Sequence, residues 1–115
     1  MTALIIVIIA VAVFALLSAF YHLDRLIRAE HDFHHDAWIA DGRPFFVGLR
    51  ERVGVHSQFA WMRVSWVWPF RTPVWVRSSA DHMRRLRLLR LFVVAWNLPF
   101  IILALFIVTF LWLSH

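Results

Sequence analysis

Apolar side chains along this chain fall into two long runs separated by a mixed segment. Thr2 to Tyr21 reads TALIIVIIAVAVFALLSAFY, and Leu91 to Ser114 reads LFVVAWNLPFIILALFIVTFLWLS. Neither run contains Asp, Glu, Lys or Arg, and the 12 basic and 7 acidic side chains all lie between Asp24 and Arg90. About 20 apolar residues at 1.5 Å rise cross a hydrocarbon core roughly 30 Å thick, so each run is long enough to span, the second with some tilt. A backbone in lipid must satisfy its own hydrogen bonds, and two segments cannot close a barrel, so both runs are predicted to be helices. The pattern predicts an all-α membrane protein. Transmembrane helices cover 2–21 and 91–114 and form a hairpin, with a partly interfacial helical segment over 22–90 between them.

Within that middle segment, Tyr21 to Ala40 is expected to continue the first helix, with Asp24 and Arg28 paired four residues apart. Asp41-Gly42-Arg43-Pro44 then breaks it, since Gly permits positive φ and Pro removes a donor. Residues 57–76 mix Trp61, Trp66, Trp68 and Trp75 with Arg63 and Arg71, a combination suited to the boundary between lipid and water. Pro69 and Pro73 interrupt this stretch, and Arg63 would cost at least about 2.5 kcal/mol near the centre of a spanning helix, so an interfacial or re-entrant helix is predicted there and not a third span. A basic helix over 79–90 follows, with Ser78 or Ser79 as its N-cap and Asp81 in its first turn.

Charge then sets the orientation. Arg25 and Arg28 follow the first run, while Arg84, Arg85, Arg87 and Arg90 precede the second. Basic residues close to spans are retained in the cytoplasm, so the middle segment is expected to be cytoplasmic and both ends periplasmic. A cleavable leader would carry its basic residues before the apolar run, so a retained anchor is expected. All 12 basic residues are Arg, which suggests a GC-rich bacterial genome and places the chain in a bacterial cytoplasmic (inner) membrane. With 115 residues, 62% of them hydrophobic and 17% charged, the chain has room for one domain and too little polar surface for a soluble one. The net charge of +5 is explained by topology and anionic lipid before any nucleic acid. Cysteine is absent, which excludes disulfides and thiolate chemistry.

Candidate chemistry is sparse. His31 and His35 share a helical face and form a candidate divalent-metal pair, although without an obvious fourth ligand a solvated face balancing the arginines explains them better. No other cofactor is expected, because His22 and His82, the histidines nearest the apolar runs, sit at the membrane edge and not inside it. Ser18, Ser57 and Ser65 have no triad context, so no catalytic residue is proposed. The residues expected at lipid headgroups and the interface are Arg25, Arg28, Trp61, Arg63, Trp66, Trp68, Arg71, Trp75, Arg84, Arg85, Arg87 and Arg90. Ala12, Ala15 and Ala19, with Ser18, form a small-residue strip for helix packing. Pro99 frees a carbonyl near Ala95, and Asn97, the only amide in either run, either bonds across to a neighbouring helix or serves its own backbone.

The order of an apolar run, an acidic and His-rich helix, Asp41-Gly42 followed by Phe45-Phe46, an aromatic stretch, and His82 with Arg84, Arg85 and Arg87 before the last run resembles the universal stress protein B family of small two-span bacterial membrane proteins. The resemblance implies a membrane protein linked to stress or stationary phase, without enzymatic activity. Two functions are expected, with a metal-binding protein built on the His31 and His35 cluster as a weaker third. One is a non-catalytic accessory subunit packing against a larger respiratory, photosynthetic or transport complex. The other is a stress-associated protein acting on the bilayer alone or as a homo-oligomer.

Overall fold

A computed structural model describes residues 1–49 and 54–114. Among these residues every regular element is helical. Helix α1 covers Thr2–Phe33, α2 covers His35–Ala40, α3 covers Val55–Val67, a 3-10 turn covers Val74–Ser78, and α4 covers Ala80–Leu113. Neither Gly nor Pro interrupts α1, whose Ala, Leu and Ile residues keep it helical for 32 residues. It therefore continues about 18 Å beyond Tyr21 at 1.5 Å per residue. At His34 the backbone turns out of helical geometry (φ −135°, ψ 56°), so the helix expected to reach Ala40 is two helices that meet at a corner. The Ser79 hydroxyl caps α4 by accepting the His82 amide at 3.4 Å, and the helix passes through Pro99 to Leu113. Both α1 and α4 are long and apolar enough to cross a membrane.

The two long helices pack on each other in opposite directions. Phe14 meets Phe92 with ring centres 6.2 Å apart, His22 stacks on Phe92 at 5.7 Å, and His34 faces His82 at 6.3 Å. The packed side of α1 carries Ala12, Ala15, Ala19, Leu23, Leu26 and Glu30, all buried and spaced by three or four residues. Small residues in the first half of this stripe let the backbones approach, and larger ones in the second half build a core. That core joins Leu23, Leu26 and Ile27 to Trp38, Phe46, Val64, Trp68, Trp75, Val76, Leu86 and Leu89. Beyond it the long helices carry no buried side chain over 1–11 or 100–114.

Three connections close this packed half. Gly42 (φ 89°) and Arg43 (φ 57°) turn the chain after α2, and the Trp38 indole donates to the Pro44 carbonyl at 3.1 Å. A Cβ at Gly42 would come within 3.2 Å of the Ala60 Cβ, so a glycine is needed where α3 approaches. The Ser57 hydroxyl donates to the Arg43 carbonyl at 2.8 Å, tying the start of α3 to the same turn. After α3, the segment through Pro69 and Pro73 folds Trp75 and Val76 back into the core.

Helix α3 has two apolar faces. At 100° per residue, Ser57, Ala60 and Val64 share one side and are buried. Val55, Phe59, Met62 and Trp66 fall within an arc of about 60° on the opposite side, and all four are more than half exposed. Residues 57–76, expected as one interfacial helix, thus resolve into a helix ending at Val67, a turn and a 3-10 segment.

Candidate functional site

Polar side chains of the packed half form three groups. The first borders the end of the apolar run. Arg25 lies 5.5 Å from the Tyr21 ring centre, Arg85 lies 5.8 Å from it, and Arg28 lies 5.9 Å from the Phe46 ring centre. Asp24 does not take Arg28 as its partner, as the four-residue spacing suggested. Its carboxylate accepts the Val47 amide at 2.6 Å and pins the loop instead. Among the described residues neither Arg25 nor Arg28 has a carboxylate partner. Both line an open cavity of about 510 Å³ with His31, Asp32, Phe46, Gly48 and Leu49. Gly48 (φ 92°) makes room for Arg28, since a Cβ there would stand 2.9 Å from its Nη2. Two guanidiniums over aromatic rings, without a carboxylate partner among the described residues, suit a phosphate group.

The other arginines divide into two kinds. Arg90 donates from Nε and Nη2 to the Trp68 carbonyl at 3.3 and 3.2 Å, and from Nη2 to the Thr72 hydroxyl at 2.9 Å. Arg63 donates to the Asp41 carbonyl at the end of α2. Arg85 meets the Nδ1 of His22 at 3.2 Å, and burial first, with Arg85 second, lowers the His22 pKa and favours the neutral imidazole that accepts this bond. These three are internal ties. Arg71, Arg84 and Arg87 are exposed.

The tryptophans divide in the same way. Trp66 is 74% exposed, and Trp61 is half-buried against Phe20 at 5.6 Å. Trp68 and Trp75, expected at the lipid boundary, are instead in the protein core at 3% and 8% exposure. Trp68 continues the buried face of α3, one turn after Val64, and the proline-rich turn that follows reverses the chain and brings Trp75 back into the core.

The second group is the histidine pair. His31 and His35 meet edge to face at 5.1 Å, the His31 Nδ1 engages Asp32 at 2.9 Å, and the His35 Nδ1 donates to the His31 carbonyl at 3.1 Å. Among the described residues no three or more His, Asp or Glu side chains are grouped to hold a metal ion.

The third group escaped the sequence reading. Glu30 is fully buried, with its carboxyl against the Asp41 side chain and the Trp75 indole. Burial first, and the neighbouring Asp41 second, push its pKa up to about 9, so the carboxyl is protonated at neutral pH. The His82 Nδ1 is also buried, with no hydrogen-bond partner among the described residues. The Trp75 ring lies 5.2 Å from His34 and 5.4 Å from His82, which joins all of these groups into one polar cluster. Burial also lowers the His82 pKa. The signal was in the spacing, since Glu30 continues the stripe Ala19, Leu23, Leu26 by one further step. No family model, curated protein or solved structure matches the chain.

Proposed function

We propose that this chain is a non-catalytic two-span membrane protein that packs, as an accessory subunit, against a larger integral membrane complex. In this reading α1 and α4 form a transmembrane hairpin over 2–21 and 91–114. The packed half is a cytoplasmic cap and both ends are periplasmic, as the arginines beside the two runs favour. The observation that carries the docking role is the outer face of α3. Val55, Phe59, Met62 and Trp66 form a second apolar stripe opposite the one already used by the core, and Phe70 and Val74 extend it at 86% and 82% exposure. A contiguous apolar face on a small cap marks an interaction surface. Arg25 and Arg28, over the Tyr21 and Phe46 rings, take the phosphates of anionic headgroups.

One observation favours the second reading, action on the bilayer itself. Trp61 in the middle of α3 packs on Phe20, and Trp68 at its end is tied to Arg90, so the second half of α3 lies level with the borders of the apolar runs. At that level the outer stripe can lie in the headgroup region.

Purification of the untagged chain from its native membrane in gentle detergent, with mass spectrometry of whatever comigrates, separates the two. A stoichiometric larger partner, released by Phe59→Ser with Trp66→Ser, is the expected result. Recovery of lipid or self-association alone would sink the accessory role and leave the bilayer-acting one. The topology has its own check. The chain contains no cysteine, so single cysteines at Ser114 and Arg77 can be labelled from either side, and Ser114 should react from the periplasm only.

A further inference from the structure

Two like charges meet where the charge-free run of α1 ends. The guanidiniums of Arg25, from α1, and Arg85, from α4, lie 5.5 and 5.8 Å from the Tyr21 ring centre, and both reach its hydroxyl. Cations held this close repel each other unless an anion lies between them. Among the described residues no carboxylate pairs with either. Asp24, beside Arg25, gives its carboxylate to the Val47 amide, and Asp81, one turn before Arg85, forms no ion pair with it.

The second cation is built in by the packing of the two long helices. Arg85 is fixed by the His22 Nδ1 at 3.2 Å, and His22 by stacking on Phe92 at 5.7 Å. That bond uses Nη1 and leaves the other guanidinium donors of Arg85 for a ligand. Arg25 and Tyr21 are exposed, so the site is open on the side away from the core.

We propose that Arg25, Arg85 and the Tyr21 hydroxyl hold the headgroup of one phospholipid, and that the class they select is the lipid phosphomonoester, a diacylglycerol ending in a bare phosphate. The inference rests on the two-span reading above, which sets Tyr21 at the level of the headgroups. Charge and donor count decide the class. A phosphomonoester carries about −1.5 to −2 charges at neutral pH and three free oxygens, whereas a diester carries a single charge and two free oxygens. Two guanidiniums match the monoester in charge, and with the hydroxyl they make three donor groups for its three oxygens. The acyl chains have a path as well. Leu17 and Phe14 stand one and two turns above Tyr21 on the same side of α1, both more than half exposed, and Phe14 meets Phe92 of α4. The lipid thereby joins the two helices at a point where the chain itself offers repulsion. A soluble phosphate would meet the same donors without the chains.

The test measures lipid retention by native mass spectrometry, with the full chain in neutral detergent offered phosphatidic acid, phosphatidylglycerol or cardiolipin at equal phosphate. One phosphatidic acid per chain is expected, retained at least about tenfold more tightly than either diester lipid. Arg25→Gln and Arg85→Gln should each weaken that retention about tenfold, and Tyr21→Phe, which keeps the ring, should narrow the preference. Arg77→Gln removes the same charge from an exposed position outside the site and should change nothing. Glycerol phosphate, the same headgroup without chains, should not displace the lipid. Equal retention of monoester and diester lipids, an Arg77→Gln effect as large as that of Arg25→Gln, or displacement by glycerol phosphate would overturn the proposal. Labelling of a cysteine at Ser114 judges the span separately. A chain labelled from the periplasm that shows no lipid preference loses the site and keeps its topology, whereas labelling from the cytoplasmic side takes down the two-span reading on which the site rests.

Discussion

Leu26, Ile27 and Leu86 are fully enclosed, whereas Ile6, Leu103 and Leu105, the same side chains on the same two helices, are more than half exposed. The first set sits where α2, α3 and the 3-10 turn cover the long helices, and the second where nothing in the chain does. In the packed half, excluding water from apolar surface stabilises the fold, and each fully buried large side chain contributes about 1.5–3 kcal/mol. In the outer halves no such term is available from within the protein. Their backbones are satisfied helix by helix, and their side chains need surroundings as apolar as themselves. One continuous helix thus obeys two sets of rules, with buried positions starting at Ala12 on α1 and ending at Leu89 on α4.

The widest gap between the halves should appear on truncating core side chains. Trp38 is 1% exposed and its indole bonds the Pro44 carbonyl, so Trp38→Ala should cost about 3–5 kcal/mol in detergent unfolding. Leu103→Ala, at a position 55% exposed, should cost under about 1 kcal/mol. Equal losses would mean that the outer half of α4 is packed after all, against a partner.

Next in size is the titration of Glu30. Its folded pKa lies above the unfolded one, so its contribution is fully present below about pH 4.5 and is lost as pH rises toward about 9. Wild-type stability should therefore fall with rising pH, by at most about 1.4 kcal/mol per unit. Between neutrality and about pH 9 the lowered histidines His22 and His82 are already neutral, so this window isolates Glu30. Glu30→Gln should flatten the profile there and be the more stable protein at its alkaline end. A slope unchanged by the substitution would show that Glu30 ionises normally.

The stripe on α1 offers a third comparison. Ala15 is 2% exposed on the packed side, and Val13 is half exposed two residues away. Ala15→Leu should force the helices apart at about 1–3 kcal/mol, and Val13→Leu should be nearly neutral. Thermal midpoints of the two variants measured side by side decide this.

Much of this division was legible from residue order. The two charge-free runs marked the long helices, Ser78 or Ser79 was expected to cap α4 and Ser79 does, and the alanine strip of α1 is on its buried side. What was not legible depended on chain reversals. Trp68 and Trp75 share their local composition with Trp61 and Trp66, and aromatic residues beside arginine suit a lipid boundary and a small core equally well. Helix phase puts Trp68 on the buried face of α3 and Trp66 on the opposite one, and the turn through Pro69 and Pro73 returns Trp75 to the core. His31 and His35, expected on one helical face, lie on two helices because the chain breaks at His34 between them, and they meet through ring contact and local bonds to Asp32 and the His31 carbonyl. Glu30 was hidden by the opposite habit. An acid in a charged segment reads as solvated, and its burial follows from α2 folding back at His34.

The smallest expected effect concerns Asn97, where the outer half of α4 begins. Its amide donates to the Val93 carbonyl at 2.7 Å, one turn back on its own helix. Pro99 has no N–H for the Ala95 carbonyl, yet Asn97 does not reach that freed group and adds a bond to the preceding turn instead. A bond of this kind is largely redundant, because the Val93 carbonyl lies in reach of the Asn97 backbone amide as well. Asn97→Leu should therefore cost under about 1 kcal/mol in detergent, the range measured for hydrogen bonds within membrane helices. The same variant examined in the native membrane carries more information. If α4 docks a partner through Asn97, the amide must leave Val93 to do so, and Asn97→Leu would release the partner while leaving the isolated chain as stable as before.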